Sequence, residues 1–520
     1  MPTTLYTQSN RKVTLSTPLG PDVLLLQNFI HKEELGRPFE LTLEMQSTNQ
    51  EIDFSKILGQ SVTVSIQLPI QETRYLNGIV SEFTQTVFES PEGLYSYRAV
   101  VVPWISMLDL TTDCRCFQNQ TIPEILEAVF KTYNFYDYEL NLTQEYVARE
   151  FCVQYRETAF NFVHRLMEFA GITYFYKHED GKHTIVLCDT NNGYLPFHSI
   201  HEVPYKPGLK DPWTIAITEW WLNEKLCPGT VELNDYDYAA PQSSLLGNAS
   251  GQQPHPHGAY QHFDYPGCYQ TQDSPETYAA IRLSELQCRR LRVRGRGPFA
   301  GINVGYSFQF MIFPRKDQNQ GYVPISTKIT ITTPPYSTTG SFSDDGVVVD
   351  TEFEVIPSTI RYCNPRITPK PRIHGVQTAV VAGPEGQDTP YVSGYGSVVL
   401  QFRWDRYGQN NQNSSIWIRV SQLSAGKGWG SMFIPYIGNE VVVAFEEGDP
   451  DRPMIVGRLY NALQMPKLPL PKNNQKSYIC DSGGDIICFY PLSGSESIKL
   501  YSPYNQTSKV VGATPGKLNF

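Results

Sequence analysis

Apolar and polar residues alternate with a period of two along much of the chain, as in strands that bury one face. The alternation is regular in residues 61–68 and 41–43, and it recurs in residues 398–404 and 441–445. Short clusters of Gly, Pro, Asn and Asp separate these runs. The pattern predicts a mainly β protein built from many short antiparallel strands, with a few helices.

Two segments change to the spacing of an amphipathic helix. The first, residues 121–133, begins with Thr121 and Glu124 at the spacing of a capping box. The second, residues 158–170, ends before Gly171. Its predicted apolar face consists of Phe160, Val163, Leu166, Met167 and Ala170. On this helix His164 is predicted to lie on the polar side with Glu168, as an ordinary surface pair and not a catalytic dyad.

Further elements follow from turn and cap residues. A β-hairpin is predicted in residues 172–188, with its turn at residues 179–181. A third helix is predicted from the N-cap Ser274 to about Val293, and a strand in residues 325–332. The Pro-rich residues 364–371 then read as a linker.

Residues 404–461 are the most informative segment. Strand-like runs there, including Ile416, Ile418 and Val420, are separated by turn clusters that carry no nucleophile, metal cluster or phosphate loop. Short strands at this spacing predict a small closed barrel of the oligonucleotide/oligosaccharide-binding (OB) type. Gly426, Gly428 and Gly430 form a compact loop around Trp429, and we predict that disrupting this loop or Trp429 collapses the barrel.

The order and spacing of these residues resemble a known family. The stretches FRWDRYG (402–408), NSSIWIRV (413–420) and SQLSAGKGWGSMFIPYIGNEVVVAFEEGDPDRPMIVGRLYNA (421–462) are similar to the barrel signature of VgrG, the spike family of type VI secretion systems. Residues 152–189 and the FDYPGCY block (263–269) resemble the family's hub. The resemblance covers roughly residues 5–470.

The resemblance implies a homotrimeric spike similar to the hub and spike of contractile-tailed phages. Its implied partners are a hexameric tube protein of the Hcp type, baseplate proteins, a tip-capping PAAR protein or effectors, and the envelope of a target cell. The implied location is the cytoplasm during assembly, followed by export through the machine without a signal peptide.

The domain division expected from the chain has three parts. Residues 1–370 are predicted to be a hub with barrel-like β halves, and residues 371–463 the OB-type barrel that forms a collar. Residues 464–520 begin with a stiff Pro-rich connector and continue as short strands at 477–480, 485–490 and 497–501. Because strands this short bury little surface alone, they predict the start of an intertwined trimeric β-prism needle. About sixty residues follow the barrel, fewer than a full needle is expected to need, so the needle is either stubby or cut short.

Composition narrows the class of protein. The 520 residues, 40% hydrophobic and 18% charged, suffice for two to four folded domains. A formal net charge of -10 argues against a nucleic-acid partner. No signal peptide and no bilayer-spanning run are found, and the ten cysteines, with no C-x₂-C pair, are expected to be reduced.

The candidate chemical residues favour structural interpretations. His255, His257 and His262 lie in a Pro/Gly loop without a cysteine or carboxylate at ligand spacing, so no metal site is assigned. The basic run Arg289, Arg290, Arg292, Arg294 and Arg296 is placed at the end of the third helix, where it offsets the helix dipole and pairs with an acidic neighbouring subunit. The acids of residues 446–451 fall in a turn between barrel strands.

No catalytic, cofactor-binding or metal residues are predicted. The chain has no G-x-S-x-G, H-E-x-x-H, P-loop or C-x-x-C motif, and we therefore do not expect an enzyme. Some family members carry a toxic domain after the needle, and we do not expect such a domain within these 520 residues. Two alternatives stay open: a phage-tail or phage-derived injection hub, and a monomeric carbohydrate-binding β protein suggested by the 32 tyrosines.

Overall fold

The computed structural model describes residues 6–69, 72–89, 93–196, 201–211, 213–251, 253, 255–269, 275–336 and 346–512. Contacts divide the chain into two compact units, Met1–Pro371 and Arg372–Phe520. The predicted barrel and the predicted needle start fall together in the second unit. The division into three domains therefore stays a prediction.

The first unit is mainly β, as predicted. Its strands are β1 (Val13–Ser16), β2 (Leu25–Glu34), β3 (Glu40–Ser47), β4 (Ser61–Gln67), β5 (Thr73–Glu89), β6 (Tyr95–Val102), β7 (Thr112–Gln120), β8 (Tyr138–Asn141), β9 (Arg149–Thr158), β10 (Thr173–Glu179), β11 (Lys182–Cys188), β12 (Leu195–Pro196), β13 (Glu202–Pro204), β14 (Glu219–Glu224), β15 (Thr230–Leu233), β16 (Gly247–Ser250), β17 (Gln261–Asp264), β18 (Leu291–Gly297), β19 (Tyr306–Met311), β20 (Gly321–Thr332) and β21 (Val348–Pro357). Its α-helices are α1 (Ile122–Thr132), α2 (Ala159–Ala170) and α3 (Pro275–Gln287).

One large sheet carries most of this unit. Its strands run in the order β1-β4-β5-β6-β3-β2-β20-β21-β18-β14, and β19 joins at β20 and also pairs with β12 and β13. The pair β2 and β20, antiparallel from Asn28 opposite Thr332 to Glu34 opposite Ser326, joins strands from the two ends of the unit. The period-two pattern explains the core, because alternate residues of β4, such as Val64 and Ile66, are fully buried.

A second lobe combines helices and short sheets. The predicted capping box is confirmed, since Thr121 accepts from the Glu124 amide and the Glu124 carboxylate accepts from the Thr121 amide. The α2 helix ends at Gly171 in the left-handed conformation, as predicted. Strands β10 and β11 form the predicted hairpin, and β8 pairs with β11 in parallel. The helices α1 and α2 and the β10–β11 hairpin share one apolar core.

The predicted surface pair on α2 is wrong. His164 and Glu168 are both buried, and neither bonds to the other among the contacts described. His164 Nε2 lies 2.7 Å from the Tyr174 hydroxyl and its Nδ1 lies 2.9 Å from the Phe160 carbonyl. The helix is covered on this side by the hairpin, so polar residues there are buried with their own partners. Phe160, placed on the apolar face, is only partly buried.

We expect His164 to make the first unit acid-sensitive. Burial lowers the pKa of His164 to about 3, from an ordinary value of 6.5. Protonation therefore favours the unfolded chain. The free energy of unfolding is independent of the titration of His164 above pH 6.5, and it declines as the pH falls from 6.5 towards 3. The expected loss is about 1.4 kcal/mol per pH unit in this window. Denaturant unfolding of the parent and a His164→Gln variant between pH 7 and pH 4 measures it. An unchanged slope in the variant would contradict the assignment.

The third helix is shorter than predicted. It ends at Gln287, and the basic run continues as β18, which pairs with β14 and β21. This segment forms a strand because its burial alternates with a period of two: Val293, Gly295 and Gly297 are buried, and the arginines between them are exposed. Gly295 is required, since a Cβ there would meet the Phe353 ring. The predicted N-cap Ser274 lies outside the described residues.

The arginines of this run pair within their own chain. Arg294 lies 2.8 Å from Glu354, and Arg296 lies 2.7 Å from Asp350 on the neighbouring strand. Arg290 contacts Glu224. The predicted pairing with a neighbouring subunit is not needed to explain the run, because cross-strand acids already balance it.

The predicted linker, residues 364–371, is irregular but anchored to the first unit. The buried Glu168 carboxylate accepts hydrogen bonds from the amides of Ile367 (3.0 Å) and Thr368 (2.9 Å) and from the Thr368 hydroxyl (2.7 Å). Arg37 lies 2.8 Å from the same carboxylate and donates to the Pro365 carbonyl. These contacts fix the segment to the first unit, so it is not a free linker. We call residues 364–371 the strap.

The second unit contains a barrel and a terminal meander. Its strands are β22 (Gln377–Ala382), β23 (Val399–Phe402), β24 (Ala425–Gly426), β25 (Trp429–Gly430), β26 (Glu440–Phe445), β27 (Pro453–Leu459), β28 (Ser477–Cys480), β29 (Ile486–Tyr490), β30 (Ser497–Tyr501) and β31 (Ser508–Val511). The barrel sheet has the order β23-β22-β26-β27. Residues 416–420 contribute only isolated bridges, of Ile418 to Val398 and of Val420 to Ile455.

Two further features concern the thiols and the helices. Six cysteines are free thiols: Cys188, Cys227, Cys288, Cys363, Cys480 and Cys488. None of the helices in the described ranges is long and apolar enough to cross a bilayer.

Candidate functional site: an exposed apolar face on the terminal meander

Strands β28 to β31 form an antiparallel meander in which each strand pairs with the next. Tight turns join them: in the first, the Asp481 carboxylate accepts from the Asp485 amide at 2.8 Å. The sequence predicted the first three strands nearly to the residue. The fourth, β31, was missed because only two of its four residues are apolar.

One face of this meander presents a continuous apolar surface. The register places Ile479 opposite Ile487 and Ile487 opposite Leu500, and in the next row Phe489 opposite Ile498 and Ile498 opposite Val511. We call these six side chains the apolar face. Each of the six is 42–49% exposed, although a contiguous apolar face of a sheet is normally covered by other parts of the protein or by a partner. The signal for it in the sequence is the i, i+2 spacing of apolar residues in β29 and β30.

The opposite face of the meander is covered better. Cys488 is buried, and Lys476 and Lys499 lie over the rings of Tyr490 and Tyr501 at 4.9 and 5.0 Å. The Ser482 hydroxyl lies 2.7 Å from that of Tyr436 in the barrel. The meander is thus amphipathic, and its unsatisfied surface is the apolar face.

A second exposed apolar feature lies on the barrel. The β24–β25 hairpin carries Trp429, which is 68% exposed, and Gly426 allows the Trp429 ring to lie against the main chain. Because Trp429 is outside the core of Val441, Val443 and Phe402, its loss would not collapse the barrel of a single chain. The predicted collapse of the barrel is therefore not supported by this position.

The other residues considered in the sequence are placed as follows. Residues 446–448 form a short 3-10 turn between β26 and β27, as expected for the acidic segment. His262 was predicted to lie in the loop but lies on β17, and histidines 255, 257 and 262 do not form a three-ligand group in the part of the chain that the structure describes. A group that the sequence reasoning missed, His31, Glu33 and His178, does come together; its only signal is the His-x-Glu spacing on one strand.

Family comparisons match both units. Residues 32–335 match the phage tail baseplate hub (GPD) family, and residues 396–460 match the type VI secretion system/phage-baseplate injector OB domain. The fold class, a mainly β hub followed by an OB-type barrel, is thereby confirmed.

Individual proteins agree with the families. The chain is 39% identical over 513 residues to the type VI secretion system spike protein VgrG1a of Pseudomonas aeruginosa, which covers 97% of this chain and 79% of that protein. It is 30% identical to the actin cross-linking toxin VgrG1 of Vibrio cholerae, over 93% of this chain and 45% of that protein.

A solved structure shows the same fold. The E. coli c3393 protein, a component of the type VI secretion system with structural similarity to the T4 tail proteins gp27 and gp5, superposes with a TM-score of 0.59. The match has 20% identity and covers 86% of this chain and all of that chain. With the relative at 39% identity, these findings show that the chain belongs to the VgrG family of type VI secretion system spike proteins.

Proposed function

We propose that this spike protein works as a homotrimer whose chains bury their apolar faces against one another. The observation that supports this is the exposed apolar face on an otherwise amphipathic meander. A single chain leaves this surface in water. Three copies around one axis would bury it in a closed ring, so that no further copy could add to the assembly.

The energetics favour burial of this face. Removing the remaining exposed half of an Ile, Leu or Phe side chain from water contributes about 1 kcal/mol. Six such side chains contribute roughly 6 kcal/mol per chain, before the barrel hairpin with Trp429 adds its own area. Forming a trimer takes two association steps that each cost about 4–15 kcal/mol in lost freedom, and the three faces together contribute roughly 18 kcal/mol, so the meander supplies a large part of the driving force.

In this proposal the three segments have separate tasks. Residues 1–370 form the hub that stacks on a hexameric tube protein of the Hcp type and on baseplate proteins. Residues 371–463 form the collar, and residues 464–520 the start of the needle. The tip binds a PAAR protein or effectors, and contraction drives the assembled spike into the target-cell envelope and out of the producing cell.

The mechanism is mechanical. The resistance of a spike to mechanical force depends on how slowly it unfolds. Strands whose edges and faces are covered by other chains unfold slowly. We also propose that residues 1–520 have no catalytic role of their own. The relative that this chain matches over 97% of its length is a spike protein, and the toxin relative extends well beyond the matched part.

The solution mass of the full chain tests the assembly. We expect light scattering after gel filtration to give a mass three times 59.0 kDa. A mass of 59.0 kDa across a concentration series would contradict the trimer and would leave the apolar face to a different partner.

A further inference from the structure

Two imidazoles and a carboxylate meet inside the first unit. His31 and Glu33 are two residues apart on β2 and therefore lie on the same face of that strand. His178, on β10 of the second lobe, approaches them with its ring centroid 6.1 Å from that of His31. One ligand atom of each residue lies within 4.8 Å of the other two.

The ligand atoms of this group are buried and lack hydrogen-bond partners among the described residues. They are both ring nitrogens of His31, Nε2 of His178 and Oε1 of Glu33. His31 is fully buried and Glu33 is 4% exposed. Buried polar atoms are normally paired, so three neighbouring residues with unpaired atoms indicate a missing common partner, which can take one of the two His31 nitrogens.

The backbone of Asn77 fixes the ring of His178. The Asn77 amide donates to Nδ1 at 3.1 Å, and the Asn77 carbonyl oxygen lies at the same distance. A metal bound through Nε2 requires the tautomer with its proton on Nδ1, donated to that carbonyl, which is the arrangement that metal-binding histidines use. His183 differs, because its two nitrogens contact the Asn77 side chain and the Trp104 amide.

Charge and space are compatible with a cation. Glu33 is the one carboxylate of the group, and the Arg74 guanidinium is close enough to interact with its charge. Arg74 itself donates to the carbonyls of Ala300 and Ile302. A cavity of about 50 Å³ is lined by Glu33 and His178 together with Arg74, while His31 lies outside its lining, and its volume is enough for an ion with bound water.

We propose that His31, Glu33 and His178 bind one divalent transition-metal ion of the zinc class, with water in the fourth position. Two histidines and one carboxylate are a ligand set that zinc accepts. Ligands about 2.1 Å from a tetrahedral ion lie roughly 3.4 Å apart, so the side chains would close by up to about 1.4 Å. The ion would fasten β2 of the large sheet to β10 of the second lobe, and would stiffen the unit that carries the load.

The test measures metal content in the full chain. The starting protein carries His257→Gln and His262→Gln, which remove an exposed loop histidine and a half-buried histidine of β17 as adventitious ligands. After growth with zinc and dialysis against metal-free buffer, elemental analysis is expected to find one zinc per chain. His178→Gln and Glu33→Gln are each expected to weaken zinc affinity tenfold or more in a competition titration with a chelator.

The matched control is His183→Gln, which removes a neighbouring histidine whose nitrogens are already bonded. It is expected to lower stability while keeping one zinc per chain. Cobalt(II) added to the starting protein supplies a readout that leaves the three proposed ligands unchanged, since tetrahedral coordination gives intense visible absorption. No stoichiometric zinc and no such absorption, or full zinc retention in His178→Gln, would overturn the proposal.

Discussion

We expect the Ile487→Asp/Leu500→Asp variant to lose the trimer and to scatter light as a 59.0 kDa chain. These residues are directly opposite each other on β29 and β30, at the middle of the apolar face. In the assembly the new carboxylates would be buried, with Lys509 opposite position 500 able to pair with one of them, and the three copies would bring like charges together near the axis. Each such burial costs several kcal/mol, more than the roughly 1 kcal/mol that each apolar side chain contributes.

A control on the same sheet separates assembly from folding. Ser508→Asp adds the same charge to an exposed position on β31, in the row opposite Tyr501 and away from the apolar face. It is expected to keep the parent mass. Circular dichroism of both variants checks that the hub and barrel remain folded. If the double variant keeps the mass of the parent trimer, the apolar face is not the trimer contact.

We expect Glu168→Ala to destabilise the first unit by about 3–5 kcal/mol and to release the strap at residues 364–371. The carboxylate is only 3% exposed, yet it holds the amides of Ile367 and Thr368 and the guanidinium of Arg37. Removing it takes the acceptor from the two amides and leaves Arg37 with only the Pro365 carbonyl among the described contacts. Losing one partner is the costly way to break a buried ion pair. Denaturant unfolding measures the loss, and limited proteolysis detects the freed strap.

Glu127→Ala is the matched control. Glu127 lies on the neighbouring helix α1, where it forms an exposed ion pair with Lys131 of the same helix. Its loss is expected to cost no more than about 1 kcal/mol. Glu168→Gln is expected to fall between the two, since it keeps an acceptor oxygen but loses the charge. Equal stability of the Glu168 and Glu127 variants would show that the strap is not held by this carboxylate.

Local elements were the part of the fold that the sequence predicted well. Thr121 with Glu124 and Thr158 with Gly171 mark helix ends through contacts within a few residues, so no distant information is needed. The hairpin at residues 173–188 is another example, because its turn and its alternating strands are adjacent. The barrel strands β23 and β26 were also found, although residues 416–420 form only bridges.

Errors arose where a second element covers the first. His164 and Glu168 occupy the polar side of α2, but the hairpin and the strap pack on that side and bury them. Arg292, Arg294 and Arg296 continue a helix in sequence, but β14 and β21 accept them as a strand between two partners. A basic run does not reveal whether its counter-charges lie on a helix dipole, on another subunit or on a neighbouring strand.

The sequence by itself determined the class of fold, the positions of the helix caps and turns, and the family, because these depend on residues close together or on a long ordered match. Tertiary structure alone decided which polar residues are buried, since burial depends on what packs over a surface. It placed His31 and Glu33 beside His178, almost 150 residues away in sequence. It also aligned the apolar residues of four short strands into one face, because register between strands is set by pairing and turns and not by composition.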